Sequence, residues 1–334
     1  MDKLKIRCIR VEITLDQTAF GGAIKTKEIV GYSLPDSLHI RAEIKQQWSL
    51  FGNTANLTIY GMKIEDVFEI AKVNPFNWTY QNLVRIFAGY IEVEDEFDKS
   101  QLQAQARQLP LVYFGSVANA GADFNDKNRP FRISCVTAGV VSLYTLPAYY
   151  HTRTTSSRAV IQDIVASYNQ ANNDDYQVTF SEFFLSQQVA QLQYPSQSLT
   201  AMLTQFCNDY GYKYVIDNKN IKVTSFNTPF SSEAKTIGVA QGMIGYPTAR
   251  PSVFLDVVMY FSNYYQCGDR IYLNTAYTPL CNLPGGDPSI GNTQGNNFLY
   301  LLYTKESTLE TNGQLWQSKL TIQAEIPLKR DTNG

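Results

Sequence analysis

Apolar and polar residues alternate over the first part of the chain, which predicts β-strands. The clearest case lies between residues 38 and 44, where single polar residues separate four apolar ones: Leu38, Ile40, Ala42 and Ile44. An alternating strand of this kind buries one face and exposes the other. Further strands are expected at residues 6–13, 55–59, 84–91 and 111–117.

Two segments interrupt this β pattern. After a turn expected at Gly61, residues 64–71 follow helical spacing and predict a short helix. The acidic and Gln-rich residues 92–108 are interpreted as a loop or a partner-facing insertion. Its clustered carboxylates are expected to be solvated, with partner binding, calcium binding or catalysis as the alternatives, although the Gly and terminal Glu of an EF-hand loop are missing. They are Glu92, Glu94, Asp95, Glu96 and Asp98.

The middle of the chain switches to helical periodicity. Ser157 is expected to cap a first helix, whose buried stripe runs from Val160 to Tyr168. Ser198 is expected to cap a second helix that ends at Gly211, because glycine readily adopts the left-handed conformation of a helix C-terminus. Two alternating segments around the polar turn 217–220 then predict a β-hairpin packed on this helix.

From about residue 235 the pattern is again that of strands. Runs rich in Val, Ile, Tyr and Phe lie at residues 252–261, 270–278, 297–304 and 316–326, with a Gly/Asn/Pro loop at 281–297. A small β-barrel or closed sheet is expected there. The sequence thus predicts a multidomain α+β protein in which two β-barrel-like domains flank a mixed α+β domain, with bounds at residues 1–122, 131–228 and 235–328. The length of 334 residues agrees, since one core rarely serves more than roughly 250 to 300 residues.

Composition limits the classes of function. The chain has 28 basic and 30 acidic side chains, a formal net charge of −2 and no Lys/Arg-rich run, so specific nucleic-acid binding is not expected. Its first residues lack the apolar core of a signal peptide, and no apolar run is long enough to span a membrane. The 22 Tyr, 18 Phe and 3 Trp residues are assigned to cores and subunit contacts, with a sugar-binding face as the alternative.

Side chains that could support catalysis or bind a metal are sparse. His39 and His151 lie far apart and lack the motifs of a nucleophile triad or a metal peptidase. A pair of carboxylates would still suffice for a glycosidase. The Gly-rich loop at residues 281–297 lacks the Lys and the following helix of a phosphate-binding loop. We predict no enzymatic activity, no cofactor and no metal site.

The five cysteines form no C-x-x-C pair and are expected to be reduced core thiols. They are Cys8, Cys135, Cys207, Cys267 and Cys281, and a disulfide between the last two is the alternative.

Four segments, taken in order, resemble the central hub proteins of contractile phage tail baseplates, a group that includes late control protein D and the hub portion of type VI secretion spike proteins. Residues 55–67 resemble their strand, turn and short helix, and residues 84–92 with 111–120 resemble their paired strands. Residues 198–225 are similar to their helix and hairpin, with Gly211 at the helix end.

The most specific segment is residues 237–273, which is similar to a Gly-x-Ile/Leu-Gly-x-Pro element followed by an apolar strand. The matching positions are Gly242, Ile244, Gly245, Pro247 and Gly268. The chain departs from the pattern at Ser252 and Val253, where many members have Gly and then Ile, and in the loop after Cys281.

This resemblance implies a homotrimeric ring that joins a hexameric tail tube to a trimeric central spike and leaves a channel through which DNA passes. It implies a virion tail location after assembly in the host cytoplasm, with tube or tube-initiator and spike proteins as partners, and wedge or tape-measure proteins as further candidates. A receptor- or sugar-binding tail module and a tail-associated cell-wall hydrolase remain the alternatives.

Overall fold

A computed structural model describes residues 4–15, 23–48, 52–71, 82–93, 99–137, 145–226, 228–250, 254–275 and 299–324. Strands predominate in this part of the chain. The N-terminal strands are β1 (Leu4–Leu15), β2 (Lys25–Tyr32), β3 (His39–Gln47), β4 (Thr54–Tyr60), β5 (Leu83–Val93), β6 (Leu111–Ala122) and β7 (Phe131–Val136). The C-terminal strands are β17 (Ala234–Gly238), β18 (Met243–Ala249), β19 (Phe254–Tyr260), β20 (Arg270–Asn274), β21 (Leu299–Glu310) and β22 (Trp316–Ala324).

The middle part mixes helices with short strands. Its strands are β8 (Thr145–Leu146), β9 (Tyr149–His151), β10 (Thr155–Ser156), β11 (Gln177–Phe180), β12 (Gln188–Val189), β13 (Leu192–Tyr194), β14 (Gln197–Ser198), β15 (Tyr212–Asp217) and β16 (Asn220–Ser225). The described α-helices of the whole chain are α1 (Ile64–Ala71), α2 (Lys99–Ala106), α3 (Ser157–Asn172) and α4 (Leu199–Tyr210). A short 3₁₀ turn, Val239–Gln241, separates β17 from β18.

The N-terminal and C-terminal strands form one large sheet, in the order β18-β19-β22-β21-β3-β4-β7-β6-β5-β1-β2, with β20 and β17 attached beside β21. The two parts meet where β21 pairs antiparallel with β3, so that Glu306 lies opposite Lys45. Two hydrophobic cores lie on one side of this sheet, one in each part. The sheet is not a closed barrel, so the expectation of two separate barrel-like domains is corrected to two halves of one large sheet.

The boundary of the middle domain also needs correction. Residues 131–136, which the sequence pattern assigned to the middle domain, form β7 and pair with β4 and β6 of the N-terminal part. Phe131, Ile133 and Cys135 of this strand are buried in the N-terminal core. Residues 123–130, which the predicted bounds leave between the first two domains, are therefore a turn within the N-terminal part.

The middle part has its own hydrophobic core, formed between α3, α4 and the β11-β16-β15 sheet. The apolar stripe of α3 lies buried in this core, as the sequence predicts: Val160, Ile161, Ile164, Val165 and Tyr168. The N-cap of α3 is Ser156, whose Oγ accepts from the Ala159 amide at 3.2 Å, and not Ser157. Ser157 is fully buried and its Oγ lies 2.7 Å from the Tyr212 hydroxyl, which explains why it does not cap the helix.

Residues 99–106 form helix α2, so the prediction of a loop or insertion is wrong for this stretch. Leu102 and Ala106 are buried against Cys8 and Ile91, on the side of β1 and β5 that faces away from the main core. Arg10 fixes the end of this helix, since its Nε donates to the Ala106 carbonyl at 3.0 Å. Only two apolar residues of the helix face the core, which is too few to give a clear period among the glutamines.

Candidate assembly surface

The large sheet has one continuous polar side that crosses both of its halves. On β3, the inward residues Ile40, Ala42 and Ile44 are buried, and the residues between them point to the opposite side. Cross-strand pairing carries this alternation from β19 to β7. We call this side the polar face: Asp256, Val258 and Tyr260 (β19); Gln317, Lys319 and Thr321 (β22); Thr304, Glu306, Thr308 and Glu310 (β21); Arg41, Glu43 and Lys45 (β3); Thr54, Asn56 and Thr58 (β4); Arg132 and Ser134 (β7).

Opposite charges alternate along the polar face where the two halves of the sheet meet. Lys45 Nζ lies 3.0 Å from Glu306 Oε1, and Glu306 is also opposite Lys319 on the next strand. Arg41 donates through Nε to Glu43 Oε1 at 3.0 Å and places Nη1 3.1 Å from Glu310 Oε1. The Lys45–Glu306 and Arg41–Glu310 pairs cross the β21–β3 ladder, so charges of one half are partly neutralised by the other.

Asp256 is the centre of a second group of charges on this face. Arg250 Nε and Lys319 Nζ lie 2.7 and 2.9 Å from Asp256 Oδ2, and the Thr321 hydroxyl donates to Asp256 Oδ1 at 2.8 Å. Burial by itself would raise the pKa of Asp256, but the bonds from these three side chains lower it below its ordinary value. The carboxylate therefore stays ionised and leaves little uncompensated positive charge on its neighbours.

The paired charges determine what the polar face can bind. A surface that holds nucleic acid needs unpaired Lys and Arg side chains that can replace the counterions of the phosphates. Three basic residues of the polar face, Lys45, Lys319 and Arg41, are instead each paired with a carboxylate. The positive charge of these three side chains is therefore largely neutralised within the protein.

A buried polar seam lies behind the polar face and separates the two cores. Ser307 and Ser318 form a buried hydroxyl pair at 2.8 Å. Lys305 is 2% exposed, and its Nζ donates to the carbonyls of Ser262 and Tyr265 at 2.8 and 3.0 Å. Burial lowers the pKa of Lys305 to about 8. This lysine anchors the 262–265 turn beneath the sheet.

Trp48 marks the junction between the sheet and the middle part. Its ring is buried beside Val215 of the middle hairpin and Leu301 of β21. The Nζ of Lys213 lies 5.6 Å from the centre of this ring and 5.2 Å from that of Tyr303, and burial lowers the pKa of Lys213 to about 8. The middle part is therefore attached to the sheet by packing as well as by the chain.

The glycines and the proline singled out in the sequence fall at three separate places. Gly242, Gly245 and Pro247 lie on or next to β18: Gly242 ends the 3₁₀ turn at φ 92°, Gly245 has φ 71°, and Pro247 is buried. The β18–β19 register shifts between Ile244 and Thr248, so this segment is a β-bulge. Gly268 lies at the Trp48 junction.

Gly211 lies in the middle part and ends helix α4. Its backbone is left-handed (φ 70°, ψ 33°), and its amide donates to the Cys207 carbonyl. Ser198 caps the other end of the helix by accepting from the Ala201 amide at 3.2 Å. The structure does not bring Gly211 to the β18 group, so these residues shape the backbone at separate points.

The candidate chemical residues are dispersed. His39 stacks on Tyr60 with ring centres 4.9 Å apart, and His151 lies on β9 in the middle part. Glu92 Oε1 lies 3.7 Å from Lys5 Nζ. The other four residues of its acidic cluster are outside the described residues. Among the described residues, no group of three or more His, Cys, Asp or Glu side chains is arranged to hold a metal ion. Within the same part of the chain, no helix is both long and apolar enough to cross a bilayer.

The thiols of Cys8, Cys135, Cys207 and Cys267 are free. Burial raises the pKa of each to about 12, so these thiols are poor nucleophiles. Cys281 and the Gly-rich loop lie outside the described residues.

The polar face and the burial of Lys305 were not predicted from the sequence. The alternation of Arg41, Glu43 and Lys45 with buried residues was visible, but the matching residues on β21 and β22 lie more than 250 positions away. Strand β18 was not predicted, because Gly245 and Pro247 mask its alternation. Strand β17 was not predicted either.

At the sequence level, no protein-family profile matches this chain, and no curated protein matches it. Solved structures do match its fold. A tail protein from Neisseria meningitidis matches with a TM-score of 0.53 and 9% identity, over 94% of this chain and 96% of that one. The 43 kDa tail protein of prophage MuSo2 from Shewanella oneidensis matches with a TM-score of 0.50 and 7% identity, over 93% and 96% of the two chains.

The Escherichia coli protein c3393, a component of the type VI secretion system with structural similarity to the T4 tail proteins gp27 and gp5, gives a TM-score of 0.51 at 8% identity, over 88% of this chain and 76% of that one. A chain of the Francisella PdpA-VgrG complex gives 0.54 at 8% identity, and this match covers 96% of our chain but 58% of that longer one. The chain therefore has the fold found in these phage tail proteins and type VI secretion components.

Proposed function

We propose that this chain is a non-enzymatic structural hub of a phage tail baseplate. In this proposal three copies form a ring that joins a hexameric tail tube to a trimeric central spike. The two halves of the large sheet in each copy supply six similar units around the axis, so the ring can match sixfold symmetry on one side and threefold symmetry on the other.

The polar face is the observation that carries this proposal. It runs without interruption across the β21–β3 ladder, where Lys45 and Glu306 form an ion pair that joins the halves of the sheet. A hydrophilic surface with paired charges suits the wall of a channel. It stays hydrated, and it has few unpaired cations that would bind the phosphates of passing DNA. The polar face would line the channel, and the middle part would lie outside.

The fold comparisons support a setting among tail and spike proteins. The neighbours are phage tail proteins, a type VI secretion component and a chain of a complex that contains VgrG. By this analogy the partners would be further copies of the chain, a tail tube or tube-initiator protein and a central spike protein. The location would be the virion tail baseplate, after assembly in the host cytoplasm.

We also propose that the chain has no hydrolytic activity. The described structure does not place its histidines together, and its buried thiols are protonated at neutral pH. A zymogram with peptidoglycan would test this directly. Turnover that disappears when one carboxylate is replaced would overturn the proposal.

A density map of the assembled particle tests the ring. We expect three copies around the axis, the polar face toward the channel and residues 145–226 on the outside. Six copies around the axis, or the middle part lining the channel, would contradict the proposed architecture.

A further inference from the structure

The two halves of the large sheet repeat the same strand arrangement. Four consecutive strands of the C-terminal half, β18-β19-β22-β21, are followed by four of the N-terminal half, β3-β4-β7-β6. Within each set the neighbouring strands are antiparallel. Strand β18 thus corresponds to β3, and β21 corresponds to β6.

Irregularities in the ladders give the residue-by-residue correspondence. The β21–β22 register shifts between Leu302 and Thr304, and the β6–β7 register shifts between Val117 and Asn119. Each shift lies where the strand ends its pairing on the other side, with β20 for β21 and with β5 for β6. Thr304 therefore corresponds to Asn119, and Glu306 corresponds to Gly121.

The other strands agree with this correspondence. In the C-terminal half, successive cross-strand partners connect Thr304 to Thr321, Asp256 and then Thr248. In the N-terminal half, the equivalent partners connect Asn119 to Ser134, Asn56 and then Glu43. Thr248 of β18 thus corresponds to Glu43 of β3. Counting onward, Ala249 corresponds to Ile44 and Arg250 to Lys45.

One ladder of the repeat has no counterpart within the described chain. The last part of β21 pairs with β3, which joins the two halves. In the described residues, the equivalent part of β6, residues 118–122, is paired with no strand except β7, and β18 with no strand except β19. Helix α1 packs against β6, where Ala120 and Ala122 face the core that holds Val67 and Ile70 of the helix. The same type of edge is therefore left open at each end of the eight-strand set.

Backbone hydrogen bonds show that both edges have suitable donors. The Asp123 amide donates to Pro130 in the β6–β7 ladder, so in that antiparallel ladder the Ala122 amide points away from β7. The Arg250 amide donates to Phe254, so the Ala249 amide points away from β19. In the internal ladder, Ser307 and Ile44 occupy the equivalent positions and lie opposite each other.

We propose that β6 of one copy pairs antiparallel with β18 of a second copy, with Ala122 opposite Ala249 and Gly121 opposite Arg250. This contact repeats the β21–β3 ladder between molecules. It continues the polar face from one copy to the next, and it uses different surfaces of the two copies, so successive copies can close a ring.

The composition of the two edges sets the length of this ladder. Residues 118–122 are small apart from Asn119, so their side chains leave room for a second strand. Pro247 has no amide hydrogen and can only accept through its carbonyl. The bulge at 245–247 further interrupts the edge. We therefore expect a short ladder centred on Ala249, which would favour assembly of complete rings over uncontrolled strand association.

The pairing rests on the proposed ring, and a disulfide test examines the two separately. Residues 121 and 250 correspond to Glu306 and Lys45, which lie opposite each other in the β21–β3 ladder. Such a pair exchanges no backbone hydrogen bonds, and in an antiparallel ladder its Cα atoms are typically about 4.5 Å apart. That distance suits a disulfide. A Cβ at Gly121 meets no atom within 4 Å, so cysteine is tolerated there.

The experiment mixes a full-length Gly121→Cys chain with a full-length Arg250→Cys chain under mild oxidation. We expect a disulfide-linked heterodimer that is absent when Gly121→Cys is mixed with Lys319→Cys, which lies two strands away from the β18 edge. Single variants mixed with the wild type control for the native cysteines. No heterodimer above the level of the Lys319→Cys mixture would overturn the strand pairing.

A proline at the open edge provides a second test. Ala122→Pro removes a donor that no strand of the described residues uses, so we expect the folded protein to remain while the assembled ring is lost. Ala122→Ser should assemble normally. If Ala122→Pro assembles like the wild type, the pairing is wrong. If rings form but no 121–250 disulfide does, the proposed ring is correct and the β6–β18 pairing is wrong. If no ring is found in any particle, the proposed function is wrong.

Discussion

Gly268 lies against the indole ring of Trp48, so closely that a methyl group added to the glycine would meet Cζ3 of the tryptophan at 2.5 Å. The glycine also has a φ of +92°. Its amide donates to the Leu302 carbonyl at 2.8 Å, and its carbonyl accepts from the Phe230 amide at 2.9 Å. Gly268 therefore ties β21 to the segment that leaves the middle part, at a point with no space for a side chain.

We expect Gly268→Ala to lower the free energy of unfolding by about 2 to 4 kcal/mol, since backbone strain at positive φ adds to overpacking against Trp48. Urea unfolding would measure the loss. Two matched variants separate the causes. Gly211→Ala, at φ 70° with open space around it, should show only the strain, and Gly121→Ala, also in open space, should be close to neutral. Equal effects at all three positions would show that Trp48 does not fill this space.

Gly211 gives a second prediction about backbone conformation. Gly211→Val should destabilise the middle part by about 1 to 2 kcal/mol, because a β-branched residue resists the left-handed conformation that ends α4. Gly211→Asn should cost less, since Asn173 adopts the same conformation at the end of α3. Thermal unfolding of the two variants checks this. A melting temperature unchanged by valine would contradict the prediction.

Local patterns anticipated much of this fold, because they depend on neighbours in the sequence. Alternation around Ile40 and the helical stripe from Val160 to Tyr168 both correspond to observed elements. Pairing between β21 and β3 could not be predicted, since it depends on which strand edges remain open after each half has folded. The 302–304 irregularity also shifts the alternation, which places Lys305 inside, although its sequence context is that of an exposed strand residue.

The buried thiols predict insensitivity to reducing agents. Cys8, Cys135 and Cys207 are free and at most 2% exposed. Dithiothreitol should leave the melting temperature unchanged, and a thiol reagent should modify these three residues only after unfolding. A lower melting temperature in dithiothreitol would reveal a disulfide, and Cys267 with Cys281 would be the first pair to test by replacing each with serine.

Lys305 predicts a specific dependence of stability on pH. Its folded-state pKa is lowered by burial to about 8, whereas an unfolded lysine titrates near pH 10.4. Between these values the unfolded chain binds more protons, so the Lys305 contribution to the free energy of unfolding rises with pH. Below pH 8 both states are protonated and the cost of burying the charge is fully present.

A comparison of the wild type with Lys305→Met isolates this contribution. From pH 8 to 10, the wild-type free energy of unfolding should rise relative to that of the variant by up to about 1.4 kcal/mol per pH unit. Taking the difference removes the opposing effect of buried thiols such as Cys8, whose pKa burial raises to about 12. Urea unfolding at a series of pH values measures it. A constant difference would show that Lys305 keeps its proton in the folded protein.

The paired charges of the polar face lead to a prediction about DNA. Lys45 and Lys319 both lie beside Glu306, and Lys319 also pairs with Asp256. The wild type should bind double-stranded DNA only weakly at physiological salt. Glu306→Lys should strengthen binding, because it adds a cation and removes the carboxylate that neutralises its neighbours. The variant's affinity should also fall more steeply with salt, since each further phosphate contact releases about one counterion.

A filter-binding titration at several salt concentrations measures both the affinity and its salt dependence. Glu65→Lys, on helix α1 away from the polar face, makes the same change in net charge and is the matched control. If both variants bind alike, net charge and not the polar face governs the interaction, and if the wild type already binds tightly, the polar face is unsuited to a channel that lets DNA pass.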